Sequence, residues 1–338
     1  RIALVAGVAG QDGTCLASLL AGKGYRVIGA ARSVAKDGLW RLDEAGLLGH
    51  PQFSLEEFDL ADASRCLELV KSARPAEIYN VGGLSFIGHS FAQPLQAAQA
   101  TGLGAVNLLE AIRVTDPGIR YVQASSSEMF GIPAVSPQDE DTPLRPRSPY
   151  AAAKLFAHWA TITYQEAFGI FASSAILYNH ESPWRGKMFV TRKITDAVAR
   201  MRLGREDVLE LGNLDARRDW GYAPEYADAM WRILQAGSAG SFVLATGRLA
   251  SVRDFVGSAF RAIGTEIRWQ GQGLAETGVE AGNGKLRVKV SPEFFRPAET
   301  PALCGNAAKA KAVLGWEAKV RVDEICRLMV EADLKRLE

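Results

Sequence analysis

From its first residues the chain alternates short apolar runs with longer segments whose apolar positions recur every three or four residues. IALVA (2–6), YRVIGAA (25–31), FSLEEF (53–58), EIYNVGG (77–83), IRYVQA (119–124) and IFASSAILY (170–178) read as strands. Between them TCLASLLAGKG (14–24), ADASRCLELVKSA (61–73), residues 95–113 and residues 149–168 read as helices. Alternation of this kind predicts an α/β fold with a doubly wound parallel sheet. Residues 132–149 carry five prolines and should form a loop. Beyond Asn179 the rhythm loosens: helical stretches near 188–203, 223–235, 252–262, 306–314 and 322–336 alternate with short strands such as LELG and SFVLAT. Residues 1–180 are therefore expected to form mainly one domain. Residues 181–338 should form mainly a smaller mixed α/β lobe, with some segments after 210 returning to the first domain. Gly271–Gly284 holds five glycines in fourteen residues and reads as a mobile surface insertion.

The first strand–helix junction turns the fold towards chemistry. It reads GVAGQDG, with Gly7, Gly10 and Gly13. Gly7 suits a tight turn, Gly10 lets backbone N–H groups approach a pyrophosphate, and Gly13 lets helix and strand pack closely. The helix N-terminus, with Gln11 and Asp12 in the same loop, would face the anion. The second strand ends in GAARSVAKD, without an acid until Asp37. An acid here would bind a ribose 2′-hydroxyl; Arg32 and Ser33 instead suit a 2′-phosphate, which favours NADP over NAD. Asp59 and Leu60 fall after the third strand, near the expected adenine, and Asn80, Gly82 and Gly83 again let backbone approach a ligand.

A second group lies in ASSSEMFGIPAVSPQDEDTPLRPRSPYAAAK (124–154). Tyr150 and Lys154 are four apart on a helix and share a face. Ser126 and Glu128 would share a face of an extended segment. A phenol with an ordinary pKa near 10 needs help to act as a base, and an adjacent ammonium supplies it. Ser126 would hold the reacting oxygen against Tyr150. Oxidation of an alcohol needs only these three groups. Glu128 adds a second acid–base group, able to take a proton beside a new ketone or to deliver one to a departing hydroxyl; its other reading is a surface carboxylate capping the next turn.

Bulk properties narrow the partners. The 338 residues are 48% hydrophobic and 23% charged with a formal net charge of +1, so no basic field invites nucleic acid. Cys15, Cys66, Cys304 and Cys326 form no C-x-x-C pair, and His50, His89, His158 and His180 are scattered, so no metal site is expected. No apolar run reaches the ~18–20 residues of a bilayer span. The chain opens inside a strand at Arg1, as if its native start were trimmed; no targeting segment is visible and a cytoplasmic location is expected.

With GVAGQDG, ASSSEMFG, PRSPYAAAK, YNHESPWRG, FVTRKI, LGNLDARRDWG, FRPAE and KAKAVLGW in order, the chain resembles the extended short-chain dehydrogenase/reductases, and within them the GDP-mannose 4,6-dehydratase family. The resemblance implies a Rossmann-like domain, NADP, a GDP-sugar substrate and a hydro-lyase reaction. Tyr150 and Lys154 would then also border the cofactor, as would His180 and Arg185. Ser85, Ser127, Asn179, Val190, Lys193, Gly212, Arg218, Arg296 and Glu299 would contact the substrate. It also implies a homodimer, through the 95–113 and 150–168 helices, or a homotetramer. Three positions depart from the family: Ser126 replaces a threonine, Gly82-Gly83-Leu84-Ser85 replaces A-A-Q-S, and Arg32 stands in for an arginine pair. Enzymes acting on another GDP-sugar (a dehydratase, reductase or epimerase) and a catalytically silent nucleotide-sugar-binding paralogue are the competing readings.

Overall fold

The computed structural model describes residues 1–295 and 302–338. The strands, in chain order, are β1 (Ile2–Ala6), β2 (Arg26–Ala31), β3 (Phe53–Glu57), β4 (Glu77–Asn80), β5 (Arg120–Ser126), β6 (Ala172–Leu177), β7 (Asn179–Glu181), β8 (Leu209–Leu211), β9 (Arg217–Tyr222), β10 (Ser241–Leu244), β11 (Leu249–Ser251), β12 (Ile267–Gln270), β13 (Thr277–Glu280) and β14 (Leu286–Val290). The chain divides into two compact units, each assembled from three stretches.

The first unit comprises Arg1–Tyr178, Ala223–Ala245 and Gly305–Ala318. Its seven strands form one parallel sheet in the order β10-β6-β5-β4-β1-β2-β3, flanked by helices. This is a Rossmann-like doubly wound sheet. Strand order reverses beside β1, whose neighbours are β2 and β4, so the loops after β1 and β4 open at the topological switch point. The twenty-residue helix Pro149–Phe168 is bounded by local chemistry: Ser148 accepts from the Ala151 N–H, Pro149 occupies the first turn, and Gly169 closes the end at φ +67°. The expected helix 95–113 is not continuous. Pro94–Ala97 and Gly104–Thr115 are α-helical, and Ala98–Leu103 widens into a π-helical turn where it packs on the Pro149–Phe168 helix.

The second unit comprises Asn179–Tyr222, Thr246–Cys304 and Lys319–Glu338. It holds a three-stranded sheet, β11-β9-β7, and a four-stranded sheet, β12-β13-β14-β8. Its core gathers Trp220, Phe255, Phe260, Ile325 and Met329, with the Trp220 and Phe255 rings edge to face at 5.1 Å. Gly271–Gly284, expected to be a mobile surface insertion, instead contributes a central strand to the four-stranded sheet. Its middle is β13, paired on both sides, with Gly278 and Val279 buried. Gly278 is packing, not looseness: a Cβ there would lie 2.9 Å from Ile267 and 3.0 Å from Trp269. Among the described residues no helix is long and apolar enough to cross a membrane, and no cluster of three or more His, Cys, Asp or Glu could hold a metal ion.

Candidate active site

Strand β5 ends at Ser126, and Ser127–Phe130 turns at once into a 3-10 helix. Glu128 therefore does not continue the strand alternation expected of it. It stands inside the turn, half-buried, and its N–H donates to Ser126 Oγ at 3.2 Å. A serine hydroxyl that accepts in this way keeps its own O–H to donate. Ser127, beside it, is buried.

Tyr150, Lys154 and His158 follow one another at four-residue spacing along the Pro149–Phe168 helix. The buried Lys154 ammonium donates to the Ala124 carbonyl at 2.7 Å and lies 5.9 Å from the centre of the Tyr150 ring. Burial pushes the Lys154 pKa down to about 8, and the Asp12 carboxylate opposes part of that fall. Asp12, in the first turn of the helix Gln11–Gly22, thus shares an electrostatic environment with Lys154. His158 carries a signal in the sequence beyond its scatter among the histidines: it stands one turn after Lys154 on the same helix. It is buried, bonds Ser125 Oγ through Nδ1 at 3.1 Å, and is pushed by burial to a pKa of about 4, so it is neutral.

The glycine-rich loops come together at the switch point. Gly7 has φ +86°, and a Cβ on it would meet Gly82 Cα at 2.6 Å; one on Gly13 would meet the Gly7 carbonyl at 2.3 Å. Gly10 caps the helix Gln11–Gly22, with its own N–H spent on the Gly7 carbonyl at 3.1 Å. The amides of the following turn are the ones a helix N-terminus offers to an anion. Backbone this bare at a helix start fits a dinucleotide pyrophosphate. Arg32 is exposed directly after β2. Asp59 is exposed and accepts from the Ala61 N–H, whereas the Leu60 side chain is buried against Gly82. Ser85 is exposed beyond β4. Arg41, which no spacing pointed to, donates to the Ala9 carbonyl of the first glycine loop at 3.2 Å.

The remaining expected residues belong to the second unit. Asn179 opens β7, followed by buried His180 and Glu181. Glu181 accepts from Thr191 Oγ1 at 2.6 Å and pairs with Arg185 Nε at 3.0 Å, while the Arg185 guanidinium lies 3.6 Å over the Phe189 ring. Arg185, expected beside the cofactor, is thus held by an acid and a ring of its own unit. Arg192, fully buried, bonds Asp333 at 2.5 Å and the carbonyls of Pro183 and Arg185 at 3.0 and 2.9 Å. Val190 is exposed at the start of the helix Val190–Arg202. One turn on, the Lys193 ammonium stands 3.8 Å over the Phe294 ring and lines a cavity of about 360 Å³. Gly212 packs on the Phe294 backbone, and Arg218 Nη1 donates to the Arg217 carbonyl at 2.8 Å. Arg296 and Glu299 lie outside the described residues.

The family profile described as GDP-mannose 4,6 dehydratase matches residues 4–329. Similar curated proteins include GDP-mannose 4,6-dehydratase of Sinorhizobium fredii (45% identical; 100% of this chain and 97% of that protein) and GDP-mannose 4,6 dehydratase 2 of Caenorhabditis elegans (44%; 100% and 90%). The human GDP-mannose 4,6 dehydratase is 41% identical over 99% of this chain and 92% of its own. Among solved structures, the fold is shared with UDP-glucose 4-epimerase of Thermotoga maritima (TM-score 0.82, 21% identity, 100% of both chains). It is shared too with the NAD complex of dTDP-glucose 4,6-dehydratase from Bacillus anthracis (0.81, 18%, 99% and 97%) and the NADPH complex of RMD from Pseudomonas aeruginosa (0.79, 20%, 99% of both). Matched along nearly its whole length by the profile and by these relatives, the chain belongs to the GDP-mannose 4,6-dehydratase family.

Proposed function

We propose that the chain converts GDP-D-mannose to GDP-4-keto-6-deoxy-D-mannose, using a nicotinamide dinucleotide, NADP in preference to NAD, that is regenerated in each turnover. The chemistry supplied by the bound nicotinamide is reversible acceptance of a hydride. Tyr150 takes the proton of the sugar 4-hydroxyl as C4 is oxidised, its phenolate favoured by Lys154, whose ammonium is still largely protonated at neutral pH. Ser126 donates to the 4-oxygen and fixes its distance from the phenol. The new ketone acidifies C5. Glu128 removes the C5 proton and protonates the departing 6-hydroxyl, so that water leaves across C5–C6. A hydride added at C6 and a proton at C5 complete the product, and the net change is loss of one water.

The observation that carries this reading is the Ser126-capped turn, which places a half-buried carboxylate two residues from the serine at the end of β5. A plain oxidoreductase has no use for it. Family membership supports the GDP-sugar, and exposed Arg32 after β2 supports the 2′-phosphate. We assign Ser85 and Ser127 to the sugar, and Asn179, Val190, Lys193, Gly212, Arg218, Arg296 and Glu299 to the GDP moiety, by the motifs they occupy. The test is incubation with GDP-mannose and catalytic NADP⁺ or NAD⁺ followed by mass analysis. Loss of one water without net reduction of the cofactor, faster with NADP⁺, is expected; GDP-mannose recovered intact overturns the proposal.

Phe91, Leu95 and Trp159 stand 63%, 78% and 54% exposed on the helices Ile87–Ala92, Pro94–Ala97 and Pro149–Phe168. This apolar set suits pairing with a second copy, so we propose a homodimer at least, to be checked by light scattering. All four cysteines are free, which suits a reducing compartment such as the cytoplasm.

A further inference from the structure

Ala124, Ser125 and Ser126 close β5, and the helix Pro149–Phe168 holds the first two of them. The Ala124 carbonyl accepts from the Lys154 ammonium at 2.7 Å, and Ser125 Oγ bonds His158 Nδ1 at 3.1 Å. Ser126, the third, bears the hydroxyl assigned to the sugar 4-oxygen and accepts from the Glu128 N–H. On the helix side Tyr150, Lys154 and His158 stand at four-residue spacing, so the phenol rides on the same face as both ties.

The two ties differ in what they can fix. Lys154 reaches its carbonyl over a flexible four-carbon stem, so its ammonium can follow a strand that slides. His158 is a rigid ring on a short stem, and it and Ser125 are only 4% and 2% exposed. Any slide of β5 along the helix breaks their bond and strands two polar groups away from water. Burial also keeps the ring neutral, so it adds no second cation beside Lys154. We propose that His158 is a positioning residue for the dehydration: through Ser125 it fixes the end of β5 against the helix, and so sets the separation of Ser126 and Tyr150 at the sugar 4-oxygen. The inference rests on the dehydratase reading above.

His158→Leu fills much of the ring's space without a polar atom. In the full chain, loaded with its dinucleotide, it should lower kcat about 10- to 100-fold while KM for GDP-mannose and the affinity for GDP hold. The first hydride transfer should become slow, so the isotope effect with GDP-mannose deuterated at C4 should rise above that of wild type. His158→Gln, which can still bond Ser125, should recover kcat to within about threefold of wild type. Ser125→Ala, the smaller change, should reproduce the loss and carries the test if His158→Leu does not fold. Combining the two substitutions should cost no more than either alone, since both remove one bond. All rates are read at a temperature where circular dichroism shows each variant folded. Folded Ser125→Ala or His158→Leu with wild-type kcat and isotope effect overturns the inference and leaves the dehydratase reading intact. A loss that His158→Gln does not restore overturns it as well. Wild-type protein that leaves GDP-mannose unchanged overturns both.

Discussion

The Lys154 ammonium donates to the Ala124 carbonyl at 2.7 Å, two residues before Ser126 on the same strand. One bond thus ties the helix that bears Tyr150 to the strand end that bears the serine. It also holds the ammonium where burial brings its pKa to about 8. The cation is present below that value and lost above it. The alkaline limb of kcat/KM is therefore expected near pH 8, read from a pH–rate profile. Asp12 raises the Lys154 pKa, so Asp12→Asn should move that limb to lower pH. A limb that stays in place, with cofactor still bound, would detach Asp12 from this role.

Glu128→Gln keeps the turn, since the bond to Ser126 uses the backbone N–H, and keeps the side chain's size. It removes the proton acceptor. Turnover of GDP-mannose should fall by about 10²–10⁴-fold while dinucleotide and GDP affinities hold. Deuterium from D₂O should no longer enter C5, as read by mass spectrometry. Unimpaired exchange would assign the C5 proton to another group.

His158 makes stability depend on pH. Its folded pKa of about 4 lies below the ordinary 6.5, so the unfolded chain takes up the proton first as pH falls. The contribution is full above about pH 6.5 and is lost between there and about pH 4; it amounts to about 3 kcal/mol. Denaturant unfolding of wild type should show this loss, and His158→Gln, which can still bond Ser125, should not. His158→Ala should also leave the buried Ser125 hydroxyl unpaired at a cost of about 1–3 kcal/mol.

Arg192 and Asp333 form a buried ion pair between two helices of the second unit, and Arg192 also bonds the carbonyls of Pro183 and Arg185. Asp333→Ala strands a buried guanidinium and should destabilise the protein by about 3–5 kcal/mol. The double variant Arg192→Met, Asp333→Leu should recover most of that in chemical denaturation, yet release the 183–185 backbone, visible as faster amide exchange there.

The parallel sheet and the first glycine loop could be read from the chain because both depend on local pattern: strand and helix alternate, and Gly7 and Gly13 serve a turn and a close approach within a dozen residues. The helix Pro149–Phe168 carried its own boundary signals in Ser148, Pro149 and Gly169. What could not be read depends on distant partners. Gly278 looked like slack because Ile267 and Trp269, which press on it, belong to a neighbouring strand. Strand alternation placed Glu128 wrongly because the serine cap that ends the strand and starts the turn carries no periodicity. The bond between His158 and Ser125 joins residues 33 apart in the chain, so the sequence placed His158 on the Tyr150–Lys154 face without naming its partner. The cavity beside Lys193 is lined from three separate stretches of chain.

The edge position of β10 in the seven-stranded sheet gives the newborn chain a waiting period. Strand β6 ends at Leu177, but its outer neighbour is complete only at Leu244, after all of Asn179–Tyr222 and the helix Ala223–Gln235 have been made. At ~5–20 residues per second, that delay is roughly 3–13 s. Throughout it β6 offers an unpaired row of backbone donors and acceptors on a ribosome-bound intermediate. Chaperone demand and aggregation during synthesis should therefore centre on the interval in which residues 178–244 are emerging.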